Sequence, residues 1–307
     1  MQAAQSGFGP GKVILLGEHA VVYGQPALAG PLQWGITARF TPARRTSLEV
    51  PAELEAGAKR LLKRAFFRAA ELCGQPPVRV SLQSDLPVSV GLGSSAAVGV
   101  ACARALLLAA GRDASPRQVA QIALEMEKEF HGTPSGLDHT TSAMGQLILY
   151  RRRAGAVVGQ ARVVKSPRPL QVVIALAGQR RSTKETVAGL RERAALWPRR
   201  YQRLFAEIGK VAVEGSASVE AGDLAALGDA MNVNHGLLSA LQLSSPSIDA
   251  LVHRLREMGA LGAKLTGAGG DGGAVIGLFE DPRPVAARLR RAGLVCLHSQ
   301  LAGPEGQ

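Results

Sequence analysis

Val78-Arg79-Val80-Ser81-Leu82, then Asp85-Leu86-Pro87-Val88-Ser89-Val90-Gly91-Leu92-Gly93-Ser94-Ser95, then the small-residue run Ala96 to Ala110, is the stretch that decides the fold class. The first five residues alternate as a strand does, the glycines supply a loop, and the apolar run after them has the length of a buried helix. Strand, glycine loop and helix in succession mark a mixed α/β chain. The loop also has chemistry available to it. Glycines let backbone N–H groups turn inward and a helix N-terminus adds a partial positive end, so a phosphate can be held there without any side chain. A tight strand-to-helix turn, with glycines present only for sterics, satisfies the same residues. The loop is not the Walker form, which needs a Lys after the last Gly, nor a GxSxG nucleophile elbow.

Upstream, Val13 to Leu16 reads as a short buried strand, entered from Gly9-Pro10-Gly11-Lys12 and left through Gly17-Glu18-His19. A cation and an acid therefore flank one strand. Lys12 can serve a phosphate or an acid as a point charge; it can equally be a surface lysine, with Glu18 and His19 a polar turn. Residues 52–72 have apolar side chains at helical spacing and stop at Gly74 before Pro76-Pro77. Downstream, Ser115-Pro116 opens a helix with an N-cap and a proline at its first position. It runs through Glu125, Glu127 and Glu129 to His131 and ends at Gly132, Pro134 and Gly136. Glu127 on the helix and Asp138 beyond the turn can converge on one metal or one hydroxyl. The alternative is a solvent-facing Glu127 and an Asp138 that caps the next element.

Leu147 to Tyr150, Val172 to Ala175 and Ala274 to Leu278 read as strands, with a largely helical stretch between the last two. The second glycine cluster, Gly267 to Gly273 interrupted by Asp271, lets two backbones, or a backbone and a phosphate, come close. A basic, polar connection near residue 165 is the expected lobe boundary, giving lobes 1–165 and 166–307 of ordinary domain size.

The 307 residues are 46% hydrophobic and 20% charged, which excludes disorder, collagen and a disulfide-stapled miniprotein. The net charge of +12 raises nucleic acid, acidic membranes and anionic small molecules as partners. The arginines are scattered through helical segments, with one compact run at Arg151 to Arg153, and no nucleic-acid module is present. Neither nucleic acid nor membrane is therefore expected as a partner. Cys73, Cys102 and Cys296 are odd in number, widely spaced and in apolar context, as in a reducing compartment. Residues 1–11 lack the basic and apolar regions of a signal peptide, and the run Ala96 to Ala110 contains Arg104 and is too short to span a bilayer. A cytoplasmic protein is expected.

Four blocks, in order, carry a more specific resemblance: Pro10-Gly11-Lys12-Val13-Ile14-Leu15-Leu16-Gly17-Glu18-His19-Ala20-Val21-Val22-Tyr23-Gly24; Gly91 to Ala97; His131-Gly132-Thr133-Pro134-Ser135-Gly136-Leu137-Asp138; and Lys264-Leu265-Thr266-Gly267-Ala268-Gly269-Gly270. Together they resemble the mevalonate kinase branch of the GHMP kinase superfamily, over nearly the whole chain. The resemblance implies a two-lobed α/β GHMP kinase fold, an active site in the cleft between lobes, and ATP-dependent phosphorylation of the C5 hydroxyl of mevalonate. It implies that Ser89, Val90, Gly91, Leu92, Gly93, Ser94 and Ser95 wrap the ATP phosphates, and that Ser95 and Glu127 hold Mg²⁺. It makes Asp138 the candidate general base and Lys12 the cation beside it. It places Glu18, His19, Tyr150, Arg181 and Thr183 at the acceptor. Homodimers are common in the superfamily, so a homodimer is expected by analogy. Two departures from the family pattern stand out: Ser89-Val90 where a glycine is frequent, and Asp271 within the last glycine run.

Overall fold

Glycine placement explains how the first strand meets its helix. Strand β1 (Gln5–Leu16) carries Gly9, where a Cβ would sit 2.1 Å from the Ala97 carbonyl of helix α2 (Ser94–Ala109). No other residue allows that approach. The strand therefore extends well before Val13, and Gly9-Pro10-Gly11 lies inside it rather than in an entry loop. The computed structural model describes residues 5–86, 91–131, 134–152, 159–178 and 183–301, without the side chains of His131, Thr183 and Lys184.

The chain forms two compact units that interleave in sequence. The first takes residues 1–12 and 31–145, the second 13–30, 146–154 and 159–307. Strands β1 and β2 (Pro26–Pro42) each begin in one unit and end in the other.

In the first unit the later half of β2 pairs antiparallel with β4 (Val78–Ser84), from Ile36 opposite Ser84 to Pro42 opposite Val78. Strand β3 (Ser47–Glu49) runs parallel to β4. Four helices accompany them: α1 (Ala56–Leu72), α2, α3 (Pro116–His131) and α4 (Leu137–Met144). Helix α2 packs on the other three, so it is apolar all round and built of small residues; Gly99 lets Ala123 of α3 approach it. Helices α1 and α3 are amphipathic and bury Leu62, Phe66, Ala123 and Met126. The Ser115 hydroxyl accepts from the Gln118 amide at 3.4 Å, as expected of a cap at the start of α3.

In the second unit the early half of β2 pairs with β5 (Ile148–Arg151), which pairs with β6 (Gln160–Val163). A separate antiparallel sheet has the order β10 (Cys296–Gln300), β7 (Gln171–Ala177), β9 (Gly273–Phe279), β8 (Gly262–Thr266). Helices α5 (Thr183–Leu196), α6 (Pro198–Ala221), α7 (Leu224–Ala240), α8 (Pro246–Glu257) and α9 (Arg283–Arg291) complete it. The core is formed by residues such as Val173, Phe205, Ile208, Leu251, Leu265 and Val275. The mixed α/β class expected from the sequence is the class observed. No helix among the described residues is long and apolar enough to cross a membrane.

Candidate active site

In the first unit, the end of β1 and the start of α2 are tied together at the backbone. The Lys12 amide donates to the Leu92 carbonyl at 2.9 Å, and Leu92 is buried. Gly91 and Gly93 both have positive φ, 76° and 75°. At Gly93 a Cβ would also lie 2.8 Å from Cγ of Lys12, so this glycine makes room for the lysine stem that passes it. The Lys12 ammonium reaches a carboxylate oxygen of Asp138 at 3.1 Å. Lys12 is buried, while the Asp138 side chain remains 34% exposed, so the acid is accessible from solvent and the cation is not. Asp138 is the second residue of α4, whose N-cap is Gly136 with φ 93°.

Ser95 stands in the first turn of α2 and its hydroxyl donates to Oε1 of Glu127 on α3 at 3.0 Å. Glu127 is buried, and its pKa is pushed up to about 7, first by burial and then by the negative charge of Asp138. The Ser95 hydrogen bond and the Lys12 charge pull the other way. Lys12, Ser95, Glu127 and Asp138 thus form one electrostatic cluster at the N-terminus of α2. A buried carboxylate beside a second acid gains from a cation placed against it, and a hydroxyl plus carboxylate is a hard oxygen set suited to Mg²⁺. No group of three or more His, Cys, Asp or Glu poised to hold a metal occurs among the described residues. Two protein oxygens nevertheless suffice for an ion that keeps several waters. Gly91 and Ser94 are exposed beside this cluster, whereas Ser89 and Val90 lie outside the described residues.

In the second unit, the turn Gly17 to His19 and the glycine run after β8 are braced against each other. Lys264 and Glu18 form an ion pair, both side chains fully enclosed. Burial lowers the Lys264 pKa and the Glu18 charge opposes that. The His19 Nε2 lies 3.0 Å from the Ala268 carbonyl. A carbonyl only accepts, so Nε2 carries the hydrogen. Burial holds the His19 pKa down at about 4, and the ring is a neutral donor. The Thr266 hydroxyl donates to the Ile14 carbonyl at 3.0 Å. Tyr150 is buried on β5, opposite Ala27 of β2. Arg181 lies outside the described residues, as does the side chain of Thr183, which begins α5. Asp271 is exposed.

Sequence reasoning gives no role to Lys264, Asn234, His235 or Asp249. His235 accepts from the Leu265 amide through Nδ1 at 3.4 Å and faces Asp249 through Nε2 at 3.2 Å. Its pKa is lowered to about 4, chiefly by burial, so it too is neutral. The three cysteines are free and buried, and burial pushes the thiols up, Cys73 to about 11 and Cys102 to about 12, which makes them unreactive at neutral pH.

With this geometry in view, the similarities to known proteins are informative. The family profile for the GHMP kinases N terminal domain matches residues 58–146, and that for the GHMP kinases C terminal matches residues 216–294. The mevalonate kinase of Pyrococcus horikoshii is 33% identical over 92% of this chain and 91% of its own length. That of Thermococcus sibiricus is 34% identical over 92% of both chains. Among solved structures, L. major mevalonate kinase in complex with R-mevalonate superposes with a TM-score of 0.85 at 26% identity, over 98% of each chain.

Proposed function

We infer the activity from one premise: the chain belongs to the mevalonate kinase family of the GHMP kinases. It is an ATP-dependent kinase that transfers the γ-phosphoryl group to the C5 hydroxyl of mevalonate, giving 5-phosphomevalonate on the route to isoprenoids. The observation that carries the mechanistic reading is the Lys12–Asp138 pair lying in the same cluster as Ser95 and Glu127.

Phosphoryl transfer asks little covalent chemistry of a protein; it asks for positioning and for charge to be neutralised. In our reading, the backbone N–H groups of residues 89–95 and the N-terminus of α2 hold the ATP phosphates. Ser95 and Glu127 hold Mg²⁺, which when bound offsets the charge on the phosphate oxygens. Asp138, open to solvent, takes the proton of the attacking hydroxyl. Lys12 stands beside it and offsets the charge developing on the acceptor oxygen. His19 and Tyr150, with Arg181 and Thr183, serve the acceptor end, whereas Glu18, enclosed and paired with Lys264, makes no contact there. We assign 1–165 and 166–307 as the family's N- and C-terminal domains in sequence, a division that the interleaved compact units cross at residues 13–30 and 146–154. The reduced, buried cysteines support a cytoplasmic setting.

The test is incubation of the purified protein with ATP, Mg²⁺ and, in turn, mevalonate, phosphomevalonate, galactose and homoserine, following ADP and identifying the product by phosphorus NMR. A phosphate monoester on C5 of mevalonate alone is expected. Turnover of a different alcohol would overturn the substrate assignment, and ATP binding without turnover of any would make the protein a sensor.

A further inference from the structure

Beneath the turn Gly17 to His19 lies a polar network that the phosphoryl-transfer reading does not use. Every residue of β8 is buried, and Lys264 is in the middle of it with no exposed surface. Its ammonium donates to Oε1 of Glu18 and to the Leu265 carbonyl at 2.6 Å. The other Glu18 oxygen accepts from Asn234 Nδ2 at 3.3 Å, and Asn234 Oδ1 accepts from the Gly17 amide at 3.3 Å. Asn234 is itself fully buried on α7. The network therefore closes on itself: the lysine and the asparagine, from β8 and α7, grip both oxygens of one carboxylate and the backbone beside it.

An enclosed ion pair is a poor way to gain stability, because losing water cancels most of the Coulomb attraction and apolar side chains of the same volume serve as well. What it supplies is direction. A carboxylate held at both oxygens has one orientation, and the turn that carries it one conformation. The next residue shows the consequence. His19 has φ 59° and ψ −45°, a backbone conformation that costs free energy in a non-glycine residue and persists only where the surroundings impose it. Its ring is tied by Nε2 to the Ala268 carbonyl, two residues beyond the end of β8. Lys264 thus holds the turn at Glu18 while the loop leaving its own strand holds the ring at His19.

We propose that Lys264 and Asn234 are positioning residues for the phosphoryl acceptor, fixing through Glu18 the turn that presents His19, and that they govern acceptor affinity rather than nucleotide affinity. This inference rests on the reading of His19 as an acceptor contact. Lys264 itself touches no substrate: its surface is enclosed and its charge is met by Glu18.

Because a single change strands a buried charge, the test uses the charge-neutral double variant Glu18→Gln/Lys264→Met, with Asn234→Ala as a second variant that leaves the ion pair intact. Both are assayed with ATP, Mg²⁺ and mevalonate, beside the ¹⁵N NMR signals of the histidine rings. The double variant is expected to raise the KM for mevalonate by about tenfold or more while the KM for ATP and kcat stay within about threefold. Asn234→Ala should raise the mevalonate KM by about threefold or more. In both, the His19 signal should lose its Nε2–H tautomer signature. A folded variant with unchanged mevalonate KM overturns the proposal, and so does a rise confined to the ATP KM, which would give Glu18 to the nucleotide. If the wild-type protein turns over no mevalonate, the functional reading fails instead, and the His19 signal alone decides whether the network positions the ring.

Discussion

The two units each contain a lysine paired with a carboxylate, and the pairs differ in what surrounds them. Lys12 meets Asp138 at 3.1 Å with the acid side chain 34% exposed, whereas Lys264 meets Glu18 with both partners enclosed. The first pair adjoins a second acid, Glu127, whose pKa is pushed up, and a serine hydroxyl at a helix N-terminus. The second has its oxygens engaged by Lys264 and Asn234. A charge that substrate can reach is free to change partners during a reaction, while an enclosed one can only hold its place. In the proposed mechanism the same two residue types do chemistry in one unit and architecture in the other.

Exchanging each lysine for methionine is the sharpest way to break this comparison. Lys264→Met leaves Glu18 charged and unpaired in the interior, and should cost about 3–5 kcal/mol of unfolding free energy in denaturant titration. Lys12→Met should change stability by no more than about 1 kcal/mol, since Asp138 can turn to water. Its effect belongs to the reaction: loss of a preorganised charge at the developing oxyanion should lower kcat by about 10²–10³. A Lys12 variant that unfolds but turns over normally when folded would reverse the roles.

Glu127 sharpens the comparison through pH. In the native state its pKa is about 7, above the ordinary glutamate value of 4.5, so the folded protein binds more protons than the unfolded chain between those values. Stability supplied by this group is complete below about pH 4.5 and is lost as pH rises through about 7. Metal-free Glu127→Gln should therefore be more stable than wild type at pH 8, by about 1–3 kcal/mol, with the difference vanishing near pH 4.5. It should also lose Mg²⁺-dependent turnover. Equal stabilities of the two proteins at pH 8 in EDTA would contradict the assignment. A smaller effect is expected at Gly93, where Ala meets both a positive φ and the Lys12 stem: about 1–2 kcal/mol of stability, with weaker ATP binding by calorimetry.

Legibility in the sequence tracks the range of the interactions involved. The strand, glycine loop and helix from Val78 to Ala109 can be read because each part is specified by its own neighbours. Strand β2 cannot: Pro26, Gly30, Pro31 and Gly35 read as breakers, yet they lie within one seventeen-residue strand. At Gly35 the reason is visible, since a Cβ there would sit 2.4 Å from the Gly9 carbonyl of β1. Lys12, Ser95 and Asp138 stand out in the sequence because each belongs to a compact motif, and Glu127 because it stands on the helix four residues before one; the fold brings all four into one cluster. Lys264, although it opens the last quoted block, and Asn234 receive no role from the sequence because their partner, Glu18, is 246 and 216 residues away. The one local sign is a lone lysine among apolar residues in the strand Gly262–Thr266, which asks for a buried counter-charge.

Catalysis in this scheme turns on Asp138 acting on the acceptor proton, and a single-turnover experiment addresses it most directly. With Asp138→Asn in excess over ATP and with mevalonate saturating, phosphorus NMR should show ATP bound with wild-type affinity and its conversion slowed by about 10²–10⁴. Appearance of the C5 phosphate ester at the wild-type rate would contradict that role and leave Asp138 as no more than the counter-ion of Lys12.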